Sequence, residues 1–223
     1  MNELKLYCDI DGTLTDFEKF VCENSANYMR KHCGWDISNQ CGYDVDQLYS
    51  VEEKLLKQGY NAENAKQKSE EIVAGFWNVF YLKYALFTPM RPGIRKTFLH
   101  ARSRGWKLIL ITSRKKATER SLLGRFVYLT IRLQLFMNRV PYDKLFVVAD
   151  DVAKVRHIKD AYPDVMLEDK EELIDQIGVY VPTICIKASY NINQKEAFEV
   201  VNGFADGKVC QTLARIEEQQ KNG

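Results

Sequence analysis

From Ile94 onward the chain alternates short apolar runs with helical segments, and this rhythm restricts its fold more than any other feature. Lys107 to Ile111, Leu145 to Ala149, Val165 to Leu167 and Thr183 to Ile186 read as strands. Helices are expected over Ile94 to Arg104, after Ala117, near Val152 to Ala161 and over Lys170 to Ile177. After Lys107 and Thr183 the strand runs are apolar throughout, as strands covered on both faces are. Strand and helix in alternation therefore imply a parallel sheet with helices packed on both sides. An earlier strand precedes this region: Leu4, Leu6 and Cys8 alternate with Lys5 and Tyr7 before Asp9-Ile10-Asp11-Gly12-Thr13 turns the chain.

Between the first strand and the second, the pattern is helical. Phe17, Phe20, Val21 and Tyr28 suit one helix face, as do Leu48, Val51, Leu55 and Leu56. Asn61 is placed to cap a long helix that runs through an aromatic stretch to Phe87, before Pro89 and Pro92-Gly93 break the chain. Residues 17–87 thus read as a small helical insert, and residues 1–16 plus 88–223 as the core that carries it. Ser121 to Val140 is the most apolar stretch, but Arg125, Arg132 and Arg139 interrupt it, so it reads as a buried helix and not a membrane span. The closing Gln220-Lys221-Asn222-Gly223 is expected to fray.

Composition removes several function classes. With 46% hydrophobic and 28% charged residues among 223, the chain has the balance of a globular protein. Its 32 basic and 30 acidic residues leave a net charge of +2, which gives no electrostatic case for nucleic acid or for an anionic membrane, and neither is expected as a partner. The six cysteines lack CxxC spacing; His32, Cys33 and Cys41 form the only cluster to weigh as zinc ligands, and free thiols in a reducing cytoplasm are the plainer reading. Met1 leads directly into strand-like sequence without an export signal, so a cytoplasmic location is expected. No GxxxxGK[ST] loop is present to suggest a nucleotide-dependent kinase.

Asp9 and Asp11 carry the strongest chemical signal. Side chains two apart on an extended segment face the same side, so both carboxylates address one small volume. Two anions held so close call for a cation between them or for one proton, and a hard divalent ion such as Mg²⁺ suits oxygen ligands. The bland alternative is a loop whose aspartates cap a turn. Other strand ends point the other way. Ile111 is followed by Thr112-Ser113-Arg114, Leu167 by Glu168-Asp169, and Lys154 lies on the intervening helix. Ligands of open α/β sheets bind at these carboxyl ends. Lys159 competes with Lys154, and Asp150-Asp151 competes with Glu168-Asp169.

Asp9-Ile10-Asp11-Gly12-Thr13-Leu14-Thr15-Asp16 resembles the first motif of the haloacid dehalogenase-like phosphohydrolases. Thr112, Lys154 and Glu168-Asp169 resemble their second, third and fourth motifs in order. The resemblance implies an α/β fold: a Rossmann-like parallel sheet core with helices on both faces and an inserted small helical cap. It implies that Asp9 is the nucleophile and Asp11 the general acid and base. It also implies that Thr112, Ser113 and Lys154 bind phosphate, and that Mg²⁺ is held by Asp9, Asp169 and the backbone carbonyl of Asp11, with Glu168 in support. Receiver domains of signalling relays share these residue types, but they are shorter, lack the insert and carry the phosphoacceptor on a later strand.

A narrower resemblance, through Phe76-Trp77, Arg91-Pro92-Gly93, Pro141-Tyr142-Asp143-Lys144 and Tyr190-Asn191, is to the 5'-nucleotidase group. It implies a small phosphorylated substrate, a nucleoside monophosphate first, with sugar phosphates and other small phosphorylated metabolites as the alternative. A non-catalytic phospho-ligand binding domain is the remaining one. Phe17 could then stack on a base and Arg114 pair with an anionic group, although Phe76, Phe80 and Tyr84, with Trp77 and Tyr81 beside them, are read mainly as packing between helices. Nothing in the sequence indicates an oligomeric state.

Overall fold

The computed structural model describes residues 3–39 and 42–222. The chain divides into two compact units, Met1–Asp16 with Pro89–Gly223, and Phe17–Thr88.

The first unit is built on six parallel strands: β1 (Lys5–Asp9), β2 (Lys107–Ser113), β3 (Lys144–Val148), β4 (Val165–Glu168), β5 (Thr183–Ile186) and β6 (Glu199–Val201). Their spatial order is β3-β2-β1-β4-β5-β6. The α/β class expected from the strand–helix rhythm is the one observed, and its physical cause is visible strand by strand. On β1 and β2, Leu6, Cys8, Leu108 and Leu110 enter one apolar layer while Tyr7, Ile109 and Ile111 enter the opposite one. Both faces are covered, so both sets of alternate residues must be apolar. β6 escapes the sequence reading because an edge strand of three residues, Glu199-Val200-Val201, carries almost no periodic signal.

The helical unit holds α1 (Phe17–Cys33), α2 (Val45–Tyr49), α3 (Val51–Lys57) and α4 (Ala62–Phe87). Asn61 caps α4 as its sequence position suggests, accepting a 2.8 Å bond from the Asn64 amide. Phe20, Val21, Met29, Leu48, Leu55 and Phe76 form this unit's own core. Leu56, read as part of that face, is instead exposed. The zinc reading falls partly on Cys41, which lies outside the described residues; the His32 ring rests against Tyr28, 4.4 Å between centroids.

The core unit continues with α5 (Ile94–Ser103), α6 (Lys115–Thr118), α7 (Leu122–Met137), α8 (Asp151–Ala161), α9 (Glu171–Gly178) and α10 (Lys208–Asn222). Where the sequence suggests fraying, α10 runs on through Gln220 and Lys221. Val209, Leu213 and Ile216 anchor it in the core, and the buried Glu217 accepts hydrogen bonds from Trp106 Nε1 at 2.6 Å and Arg104 Nε at 2.9 Å. Such a tertiary clamp is invisible to local propensity.

The segment read as a buried helix, Ser121 to Val140, does form α7, but only one face of it is buried. Val127, Ile131 and Leu135 pack inward, whereas Leu122, Phe126, Leu129, Leu133 and Phe136 are exposed. Apolar content alone does not bury a helix when the sheet offers it one side.

Candidate active site

Strand order reverses at β1: the chain steps from β1 to β2 and β3 on one side, then returns to place β4 on the other. The carboxyl ends flanking such a reversal diverge and leave a crevice for ligands. Asp9 ends β1, Thr112 and Ser113 end β2, and Glu168 ends β4 with Asp169 directly after. Register holds them together, since Asp9 is level with Ile111 and Cys8 with Leu167.

Four buried charges meet there. Lys154, on α8, donates from Nζ to Asp9 Oδ1 at 2.6 Å and lies 2.6 Å from Glu168 Oε2. Asp9, Glu168 and Asp169 place carboxylate oxygens within 4.8 Å of one another, the one such group found among the described residues. Burial, aided by the neighbouring Glu168 and Asp169 charges, holds Asp9 well above the usual carboxylate range despite Lys154. Burial, with the Glu168 charge beside it, lifts Asp169 to about 7. Burial works against the ammonium of Lys154, yet Asp9 and Glu168 outweigh it and keep that group charged. Three carboxylates against one ammonium leave an excess of buried negative charge. A cation bound to the carboxylate oxygens would relieve it, and an all-oxygen donor set suits a hard ion. The acidic cluster thus fits a metal site, with Glu168 in it and the Asp11 side chain outside it.

Asp11 points to different partners. Its carboxylate accepts from Thr112 Oγ1 at 2.8 Å and from Arg114 Nε at 2.9 Å and Nη2 at 2.5 Å, a two-pronged guanidinium contact. Ser113, one residue along the pleat, faces Asp151 instead. Burial raises Asp151, but Lys170 and Ser113 more than offset it and hold that carboxyl below its ordinary range. The competing pair is accounted for structurally: Asp150 caps α8 by accepting from the Ala153 amide, and Asp151 pairs with Lys170 at 2.5 Å. Lys159, the rival of Lys154, sits over the Tyr180 ring at 4.8 Å.

The loop after β1 is tied down from several directions. Leu14 and Thr15 amides both donate to the Ile10 carbonyl at 3.0 Å, and Arg91 Nε donates to the Gly12 carbonyl at 3.0 Å. Thr13 Oγ1 donates to Asp169 Oδ1 at 2.7 Å, and the Tyr190 hydroxyl donates to Asp169 Oδ2. Asn191 Nδ2 reaches the Asp169 carbonyl at 2.5 Å. Tyr190 and Asn191 enter the sequence reading only through the narrower resemblance, and their part in orienting Asp169 leaves no other trace there than a polar run after the fifth strand. Gly12 has φ of +91°, and a Cβ there would lie 2.1 Å from Asp169 Oδ2. Gly12→Ala is expected to displace Asp169 and remove most turnover, measured as phosphate release. Gly105→Ala is the control. It shares the strained backbone, φ of +93°, but its Cβ meets nothing within 4 Å, so it should cost about 1–3 kcal/mol in a denaturant melt and leave turnover in place.

Phe17 lies in the helical unit, where it stacks on Tyr43 and Trp77 at 4.8 and 5.3 Å and meets Tyr84 edge-on. That packing accounts for the ring without a substrate. Phe76 and Phe80, 4.8 Å apart, likewise pack within that unit.

A model of the haloacid dehalogenase-like hydrolases matches residues 7–182. No curated protein matches the chain. Among solved structures, a HAD hydrolase, family IA, variant 3, from Entamoeba histolytica aligns over 97% of this chain and 100% of its own at TM-score 0.60 and 16% identity. A putative beta-phosphoglucomutase from Thermotoga maritima aligns over 95% and 99%, at 0.52 and 14%. CbbY from Rhodobacter sphaeroides, in complex with phosphate, aligns over 92% and 96%, at 0.52 and 15%. These likenesses agree on the fold, and with a family match that runs from the first strand past the fourth, the chain belongs to the haloacid dehalogenase-like hydrolases.

Proposed function

We propose that this hydrolase is a Mg²⁺-dependent phosphomonoesterase acting on a sugar phosphate or another small phosphorylated metabolite. The observation that carries the reading is the Asp9 carboxylate at the end of β1, paired with the buried Lys154 beside Glu168 and Asp169. In this mechanism an Asp9 oxygen attacks phosphorus, its new P–O bond forming as the ester P–O bond breaks. Asp11 gives a proton to the departing alkoxide. Water then attacks the phosphorus of the aspartyl-phosphate, returns a proton to Asp11 and regenerates Asp9 as phosphate leaves. Lys154 and the Thr112 hydroxyl hold phosphoryl oxygens in line, and Arg114 orients Asp11 and offers a cation to an anionic group of the substrate. Bound by Asp9 and Asp169 with Glu168 beside them, a Mg²⁺ ion would neutralise the charge on the transferred group. The helical unit, residues 17–88, stands in the sequence where the family inserts its cap.

Sugar phosphates are preferred to nucleotides for two reasons. The aromatic rings that could stack on a base are occupied in the helical unit's own core. Structural relatives also carry names tied to sugar phosphates, a beta-phosphoglucomutase and a CbbY solved with xylulose-(1,5)bisphosphate. The test is phosphate release from sugar mono- and bisphosphates, phosphoglycolate and nucleoside 5'-monophosphates, with and without Mg²⁺. The fastest release should come from a sugar phosphate and stop with chelator. Fastest turnover of a nucleotide would discard the substrate half of the proposal. No release from any of them, together with a melting temperature indifferent to Mg²⁺, would discard it whole.

A further inference from the structure

On α7 the exposed apolar residues recur at spacings of four, three, four and three: Leu122, Phe126, Leu129, Leu133 and Phe136. At 100° per residue these five fall on one pole of the helix, opposite the buried Val127, Ile131 and Leu135. Their exposures run from 42% at Leu133 to 84% at Leu122. From Leu122 to Phe136 the stripe is about 21 Å long. A contiguous apolar stripe of this kind on a folded surface marks a binding face.

The charges around it identify the occupant. Arg125 and Arg132 flank the stripe on α7 and Arg139 follows the helix. Residues 115–140 hold six basic residues and one acidic one, Glu119, in a chain whose net charge is only +2, so the excess is local and balanced elsewhere. Beside the helix runs an open groove of about 640 Å³, lined by Leu129, Leu133, Phe136 and Val140 together with Arg132 and Arg139. An apolar trough that also presents guanidinium groups matches an acyl chain beside an anionic headgroup. Antiparallel pairing with a second α7 would set Arg125 and Arg132 of one copy against those of the other, like charge on like charge. No described helix is long and apolar enough to cross a membrane, so attachment would be to the surface.

We propose that α7 docks the protein on an anionic phospholipid bilayer, with Phe126, Leu129, Leu133 and Phe136 in the headgroup–acyl boundary and Arg125, Arg132 and Arg139 on lipid phosphates. The full chain should float with vesicles of phosphatidylcholine and phosphatidylglycerol, and not with phosphatidylcholine alone. Added salt should weaken binding, since the cations act through a screened field. Replacing both flanking arginines, Arg125→Gln with Arg132→Gln, should lower partitioning about thirtyfold. Leu129→Gln with Phe136→Gln should abolish it, while both pairs keep the wild-type melting temperature because all four positions are exposed. Failure to float with anionic vesicles overturns the proposal. So does undiminished flotation of the Leu129/Phe136 variant, which would indicate adsorption by charge alone. A dimer detected by light scattering, dissociated by the same substitutions in protein that does not float, would assign the face to a second copy.

Discussion

Asp9→Asn should lower phosphate release by four or more orders of magnitude while leaving the protein folded. The expected size follows from chemistry: an amide cannot form the aspartyl-phosphate, and removing a nucleophile takes away nearly all that its catalytic group contributes. The folded state should survive because the substitution removes one of three mutually repelling buried carboxylates. Burial holds Asp9 well above the ordinary carboxylate range, so its ionised form costs stability in the native state. A carboxyl raised on folding binds more protons in the native state, and stability therefore falls as pH climbs from the ordinary carboxylate range through the raised value. The substituted amide has no such titration, so the variant's melting temperature should match or exceed that of the wild type, and its decline with rising pH should be shallower. Phosphate release within tenfold of wild type, in protein of unchanged melting temperature, would refute Asp9 as the nucleophile.

Lys154→Ala should damage both stability and turnover. The ammonium lies 2.6 Å from Asp9 and 2.6 Å from Glu168, and its removal leaves two buried carboxylates facing each other without a counter-charge. Breaking a buried pair from one side costs about 3–5 kcal/mol. Turnover should drop by roughly two to four orders of magnitude, the range seen when one preorganised donor on a transferring group is lost. Lys159→Ala is the matched comparison. Its ammonium makes a cation–π contact with Tyr180 at a surface position, so a change within about 1 kcal/mol and full activity are expected. The two variants, measured by denaturant melts and phosphate release, separate the lysines. Full activity in Lys154→Ala would reverse the assignment.

Much of the core is legible in the sequence because it depends on local pattern. Continuous apolar runs at 108–111 and 184–186 admit few readings other than strands of a doubly covered sheet, and β2 and β5 lie there. Asp9-Ile10-Asp11-Gly12-Thr13 is conspicuous because two carboxylates and a glycine after a strand make poor core and useful chemistry. The features that escape share a cause. β6 is a three-residue edge strand stabilised by pairing with β5, and α10 is held by Glu217 reaching Trp106 and Arg104, more than a hundred residues away. Neither leaves a mark in a sequence window. The exposed face of α7 is hidden because hydropathy measures how apolar a segment is, not which side the fold leaves bare. The whole-chain charge of +2 likewise averages away its local excess of arginine and lysine.

The sequence by itself determined the class of fold, the strand-end position of Asp9, Thr112 and Asp169, and the chemistry that carboxylates, a hydroxyl and a lysine can perform together. These follow from periodicity and functional groups, which are properties of the chain. Tertiary structure decided which groups touch. It chose Lys154 as the partner of Asp9, drew Glu168 into the acidic cluster, turned Asp11 toward Thr112 and Arg114, and recruited Tyr190 to Asp169. The Lys154–Asp9 contact alone joins residues 145 positions apart, brought together by sheet order and register. Distances of that kind are set when strands pair and helices pack, because a difference of an ångström in where two backbones settle separates an ion pair from two solvated charges.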